Sequence, residues 1–264
     1  MSSLSAAACA ILNEPSPQAK VEMTRRAAAD WQSGKIGEVG DAAPPEQPAR
    51  PDRPELREPR DMPKRGSGGA VRRLAFVHAI AHIEFNAINL AWDIIARFTS
   101  AALPRPFYDD WVAVALDEAE HFVLLNARMA EMDGCYGDLP AHDGLWQAAV
   151  STSDDLLARL AIVPMILEAR GLDTTPKAVE RLNSNGDPVT AALLGHIGNE
   201  EISHVAAGCR WFEYLCRDHQ LEPVETFHSL INSHYGGQLK PPFNVAARTA
   251  AGMNRAYYDS SADL

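Results

Sequence analysis

The chain has 264 residues, 46% of them hydrophobic and 22% charged, with four cysteines and a formal net charge of -11. A chain of this length can bury a sizeable core, and its near-average charged and apolar fractions exclude wholesale disorder and fibrous classes. Charge is unevenly spread: residues 1–73 hold 12 Lys+Arg against 10 Asp+Glu, while residues 74–264 hold 12 against 25 and so carry -13, which disfavours a nucleic-acid surface on that body.

Residues 1–36 place Leu4, Ala7, Ala8, Ile11 and Leu12 on one side of a helix, predicting a short helical N-terminal segment. Between Pro44 and Pro63 stand seven prolines in twenty residues, and each lacks an N–H and biases its predecessor toward extended geometry. An extended strap is expected there, closed by Gly66-Ser67-Gly68-Gly69. From Val71 onward the periodicity becomes 3.6, with few alternating β-branched runs. The predicted fold class is all-α, with long helices near 71–99, 106–132, 152–171 and 187–218 and shorter ones near 175–184 and 222–232. Residues 1–70 therefore read as a helical and Pro-rich arm, and 71–264 as a four-helix bundle with extra C-terminal helices. Cys9, Cys135, Cys209 and Cys216 form no CxxC pair, and no signal peptide or charge-free run of about 18 apolar residues is recognisable. The expectation is a soluble, cytoplasmic protein with reduced thiols and no membrane partner.

Each long helix carries ionisable groups where a plain bundle would be apolar. The first stripe, from Val77 to Ile95, is interrupted at Glu84; the second, from Trp111 to Leu125, at Glu118 and His121; the third, from Leu157 to Leu172, at Glu168; the fourth, from Leu194 to Phe212, at Glu201 and His204. A carboxylate in a helix core is costly unless a positive charge sits beside it. Four of them call for cations. Glu and His at i and i+3 lie about 60° apart on a helix and can share one ion, and an oxygen-rich set with two imidazoles suits Fe or Mn better than a thiolate-rich zinc site. Two divalent ions balance four carboxylates in charge. A bundle giving one Glu from each of two helices and Glu-x-x-His from each of the other two is the arrangement of di-iron and di-manganese carboxylate proteins, a case the general rules of helix bundles already include.

The spacing also repeats. Glu84 precedes Glu118 by 34 residues and Glu168 precedes Glu201 by 33, so each half is a helical hairpin giving Glu and then Glu-x-x-His. A third match, Glu225-Thr226-Phe227-His228, follows Pro223 in a short helix without a partner Glu one helix earlier and is read as a coincidence. Asp117 and Glu200 each directly precede a ligand Glu, and a ligating His commonly donates its other N–H to a carboxylate. Asp117 orienting His204 and Glu200 orienting His121 is one reading; solvated helix-surface acids is the other.

At these residues the chain resembles the ferritin-like superfamily, and more closely an uncharacterised bacterial ferritin-like family. The strings carrying the likeness are His78-Ala-Ile-Ala-His-Ile-Glu84, Asp117-Glu-Ala-Glu-His121, Glu168-Ala-Arg-Gly-Leu-Asp173 and Glu200-Glu-Ile-Ser-His-Val205. The likeness extends to the Pro-rich strap and to Pro241-Pro-Phe-Asn244. More distantly the chain resembles the bacterial tRNA hydroxylases of that superfamily, whose relatives insert an oxygen atom at a di-iron centre. That substrate is anionic and this body is acidic; only the stretch Arg50 to Arg73 is basic, with eight Lys/Arg against four Asp/Glu. A strap whose arginines pair with the acidic bundle is the expectation there, ahead of nucleic-acid binding.

His78, His82, Asn86, Asn89 and Asp93 form a polar stripe away from Glu84, expected to be a hydrogen-bonded face packed on the strap or a partner subunit. His196, one turn before Glu200, either supports the metal site or is a surface residue. Pro164 should kink its helix and free a carbonyl one turn before Glu168. Cys209 and Cys216 are expected as buried core thiols. The functional expectation is a di-iron carboxylate oxidoreductase, an O2-dependent hydroxylase or oxygenase with two Fe ions (Mn being the other candidate), a small or apolar substrate and an external electron donor. The competing readings are an iron-binding or ferroxidase protein, a manganese peroxide-reducing enzyme, and a non-enzymatic acidic interaction module. A homodimer is the simplest assembly to consider, and no catalytic group beyond the metal centre is named.

Overall fold

The computed structural model describes residues 2–99, 103–237 and 239–259, and among them the chain is helical with no strand. It divides into two compact units, Met1–Trp146 and Gln147–Leu264.

In the first unit, α1 (Leu4–Leu12) begins where the Ser3 side chain accepts a bond from the Ala6 amide, and α2 (Pro17–Gln32) begins at Ser16 with Pro17 in its first turn. The expected single helical segment is thus two helices, broken at Asn13–Pro15, where Asn13 ends α1 and Pro15 cannot continue it. Leu4, Ala7, Ala8, Ile11 and Leu12 are fully buried, and α1 packs on α3 (Ala70–Arg97). α2 packs on α4 (Arg105–Ala130), and α3 and α4 pack extensively on each other. The strap runs through residues 33–69 with one 3-10 turn at Pro59–Asp61. It is pinned to the loop after α4: the Arg57 amide donates to Ala141 O (2.8 Å), the Ala141 amide donates to Glu55 O (3.0 Å), and Arg50 pairs with Asp143. Elsewhere its arginines pair locally or face solvent, as Arg57 does with Glu55 at 2.6 Å.

By length and composition α3 is apolar enough to cross a membrane, but 72% of its apolar window is buried inside the protein, as in the core helix of a soluble protein. Its polar stripe is buried as well. His78 Nε2 accepts from the Gly137 amide (3.0 Å), Asn89 Oδ1 accepts from Lys20 Nζ (2.6 Å), and Asp93 binds Arg97 through both carboxylate oxygens. The first two are core contacts with the loop after α4 and with α2, and the third lies within α3.

The second unit is built on α6 (Leu156–Ile162), a π-turn (Val163–Glu168) and α7 (Ala169–Ser184), followed by α8 (Pro188–Asp218), α9 (Pro223–His234) and α10 (Val245–Ala250). A short helix, α5 (Gly144–Val150), crosses the boundary between the units and has no clear periodic signal in the sequence. Helix was expected to break near 171–175; instead α7 runs through Gly171 and Pro176. The reason lies in the tail. Pro176 has no N–H to give to Leu172 O, and the Asn244 side chain donates to that carbonyl instead (3.1 Å). Asp173, one residue on, is clasped by Arg248 at 2.9 and 2.7 Å and by the Asn244 amide at 2.8 Å. Phe212, Phe227 and Tyr257 form the aromatic centre of this unit, with ring centroids 4.9–6.1 Å apart.

Candidate metal centre

Glu84 lies midway along α3, and Glu118 and His121 lie on α4 one turn apart, all on faces whose other members are apolar. Packing those faces together buries the ionisable groups: Glu84 is 5% exposed, Glu118 1% and His121 0%. His121 Nδ1 stands 3.2 Å from Glu84 Oε2 and 3.7 Å from Glu118 Oε2. The three residues each offer a ligand atom within 4.8 Å of one another and could hold a metal ion. Two ligand atoms each about 2.1 Å from one ion stand about 3.0–3.4 Å apart at angles of 90–110°; the 3.2 Å spacing falls in that range and the 3.7 Å spacing is slightly wider. Burial disfavours the His121 imidazolium, but hydrogen bonds and charge from Glu118 and Glu84 overcome it and raise its pKa to about 11. With no ion bound, the proton on His121 offsets part of the charge of the two buried carboxylates.

The second unit repeats the pattern on α8. His204 is fully buried, and its Nδ1 stands 3.4 Å from Glu201 Oε2, the same pair of atoms that face each other on α4. Glu168 closes the π-turn, partly buried. The expected kink at Pro164 takes this form: the chain widens by one residue per turn, a device frequent at functional sites. α8 comes very close there, since a Cβ at Gly208 would lie 2.5 Å from Pro164 Cβ.

Asp117 and Glu200 are both partly buried, and Glu200 Oε2 lies 3.4 Å from His196 Nε2 on the exposed side of α8. His196 is therefore a surface partner of Glu200. His228 is exposed and meets Ala256 O through Nε2 at 2.9 Å, while Glu225 faces solvent. Cys209 and Cys216 are buried, and burial pushes their thiols up to about 12 and about 11, which leaves them unreactive.

Sequence reasoning foresaw His82 and Asn89 as members of a hydrogen-bonded face but missed their partners Lys20 and Tyr136, and it missed a third polar cluster altogether. Lys20 is fully buried on α2, donating to Asn89 Oδ1 and to Leu12 O (3.4 Å), and burial lowers its pKa to about 7. The signal was present, because Lys20 shares its stripe with Thr24, Ala27 and Trp31, all buried. Tyr136 OH lies 2.8 Å from His82 Nδ1, whose Nε2 lies 3.2 Å from His142 O, and burial lowers the His82 pKa to about 3. Arg248 and Asp173 are the third.

A family model described as "Protein of unknown function (DUF455)" matches residues 13–259 of the chain. An uncharacterized protein of Haemophilus influenzae is 38% identical over 206 residues, covering 76% of this chain and 72% of that protein. No solved structure matches the chain. With the match running over residues 13–259, from before the strap into the C-terminal tail, the chain belongs to the DUF455 family of proteins of unknown function.

Proposed function

We propose that the chain is a ferritin-like di-iron carboxylate oxidoreductase, an O2-dependent hydroxylase or oxygenase acting on a small or apolar substrate. The observation that carries this reading is the duplicated geometry. On α4 and again on α8, a Glu-x-x-His pair turns His Nδ1 toward a Glu Oε2, at 3.7 and 3.4 Å. A preceding helical segment supplies a further Glu in each half, Glu84 or Glu168. In a ferritin-like bundle of α3, α4, the α6–α7 run and α8, the six groups Glu84, Glu118, His121, Glu168, Glu201 and His204 would hold two Fe ions, whose charge four carboxylates balance.

Two irons in such a site supply O2 activation and oxygen-atom transfer. The chain's own contribution is the ligand set and its surroundings. Buried apolar neighbours such as Ile88, Ala115 and Phe122 keep bulk water from the centre. In this reading Asp117 would orient His204, and Glu200, which also meets His196 at 3.4 Å, would orient His121, fixing which ring nitrogen carries the proton. Inserting one oxygen atom and releasing the other as water consumes two electrons and two protons, so an external electron donor is required. The acidic charge of residues 74–264 favours an uncharged or apolar substrate over a nucleic acid.

Elemental analysis of protein purified without chelators should give two Fe per chain. Anaerobic Fe(II) loading followed by air should then give stoichiometric O2 uptake and the absorption of an oxidised di-iron centre. Protein with no metal would sink the reading. Manganese with peroxide turnover would replace it by a peroxide-reducing enzyme, and a large closed shell on size exclusion would replace it by ferroxidase storage.

A further inference from the structure

Away from Glu84, the first unit contains a cleft, open to solvent, where three segments of the chain converge. The strap brings Met62, Pro63 and Arg65; α3 brings His82 and Ile83; the loop after α4 brings Leu139 and His142. The bridge between Leu56 and Ala141 and the ion pair between Arg50 and Asp143 hold strap and loop side by side. The cleft is therefore a built feature of the fold.

Its chemistry is specific. Most of the wall is apolar, and the polar residues on it are Arg65, His82 and His142. In a chain of net charge -11, no acidic side chain lines it. Besides burial, the Arg65 charge lowers the pKa of His142, with Asp143 opposing it. His82 is committed to Tyr136 and to the His142 carbonyl, which anchors the loop and leaves Arg65, exposed at the rim, as the cation available to a ligand. A site with an apolar wall, a cationic rim and no acid selects a molecule with a hydrocarbon body and one negative group.

We propose that this cleft binds a small apolar carboxylic acid as its anion, with the hydrocarbon body against Met62, Ile83 and Leu139 and the carboxylate at Arg65 and His142. It is a site separate from the Glu/His cluster and does not depend on the chemistry assigned to that cluster.

The test uses the full chain stripped of metal by chelation, so that no carboxylate is held at the Glu/His cluster. 4-Phenylbutyrate and 4-phenyl-1-butanol, equal in body and different in charge, are titrated by calorimetry. The acid should bind saturably with a Kd at least tenfold below that of the alcohol. Arg65→Gln should erase that tenfold preference, and Ile83→Trp, which fills the cleft, should abolish binding of both. Arg65 and Ile83 are exposed at the surface, so both variants should keep the helical circular-dichroism spectrum of the parent. No saturable binding, equal affinity for acid and alcohol, or a preference that survives Arg65→Gln would each overturn the proposal.

Discussion

Two buried cations in the first unit titrate in opposite senses. Lys20 is charged at a cost: its folded pKa, near 7, lies below its ordinary 10.5, chiefly from burial, with Glu14 favouring the charge and Arg50 opposing it. The protein therefore carries the full penalty below pH 7 and sheds it as pH rises from 7 to 10.5. His121 is the reverse. Its pKa is raised to about 11 by Glu118 and Glu84, so its stabilisation of the metal-free protein is complete below about 6.5 and is lost as pH rises toward 11. Single variants separate the two. The stability of Lys20→Met minus that of the parent should fall steadily between pH 7 and 10.5 in urea titrations, by a few kcal/mol in total; a pH-independent difference would show that Lys20 is not buried in its charged form. His121→Ala removes a charged partner from the buried Glu84 and Glu118 carboxylates and should lower the stability of the metal-free protein at pH 7 by about 3–5 kcal/mol.

At the scale of elements, the π-turn depends on a close approach that tolerates no Cβ. A methyl at Gly208 would meet Pro164 Cβ at 2.5 Å and Cγ at 2.6 Å, and the proline ring cannot rotate away. Gly208→Ala should lower the unfolding free energy by about 1–3 kcal/mol, despite the better helix propensity of alanine. Because Glu168 ends that turn, the same variant should also bind less metal, measured by elemental analysis after loading; unchanged stability would mean that α8 shifts freely. The C-terminal clasp is a second element-level device. Arg248 is 2% exposed and holds Asp173 through two bonds, with its guanidinium over the Tyr258 ring at 4.6 Å. Arg248→Met leaves the Asp173 charge buried without its main partner and should cost about 3–5 kcal/mol, read as a lower urea midpoint at constant m value.

For the molecule as a whole, helices and ligand pairs were legible because both are local. The period of the stripes marked α3, α4 and α8 to within two residues of their ends, and Glu118 with His121 and Glu201 with His204 lie on one face by the i, i+3 spacing alone. The third long helix, expected to end near 171, instead continues through Gly171 and Pro176 because a distant residue, Asn244, makes good the missing hydrogen bond. The strap was recognised as extended from its prolines, but its arginines do not chiefly pair with the acidic body. Most of them face solvent, and Arg50 reaches the loop at Asp143.

Taken alone, the sequence determined that the protein is all-helical, that its core stripes carry carboxylates and imidazoles, and that the pattern occurs twice. Tertiary structure decided which groups meet: Glu84 with His121, Lys20 with Asn89, and Asp173 with Arg248, pairs 37, 69 and 75 residues apart. The physical reason is the range of the rules. Helical periodicity and capping act over one or two turns, whereas a contact across many turns is set by how whole faces pack, and no local spacing encodes it. The cleft at Arg65 belongs to the same class, since the strap, α3 and the loop after α4 come together only in the folded chain.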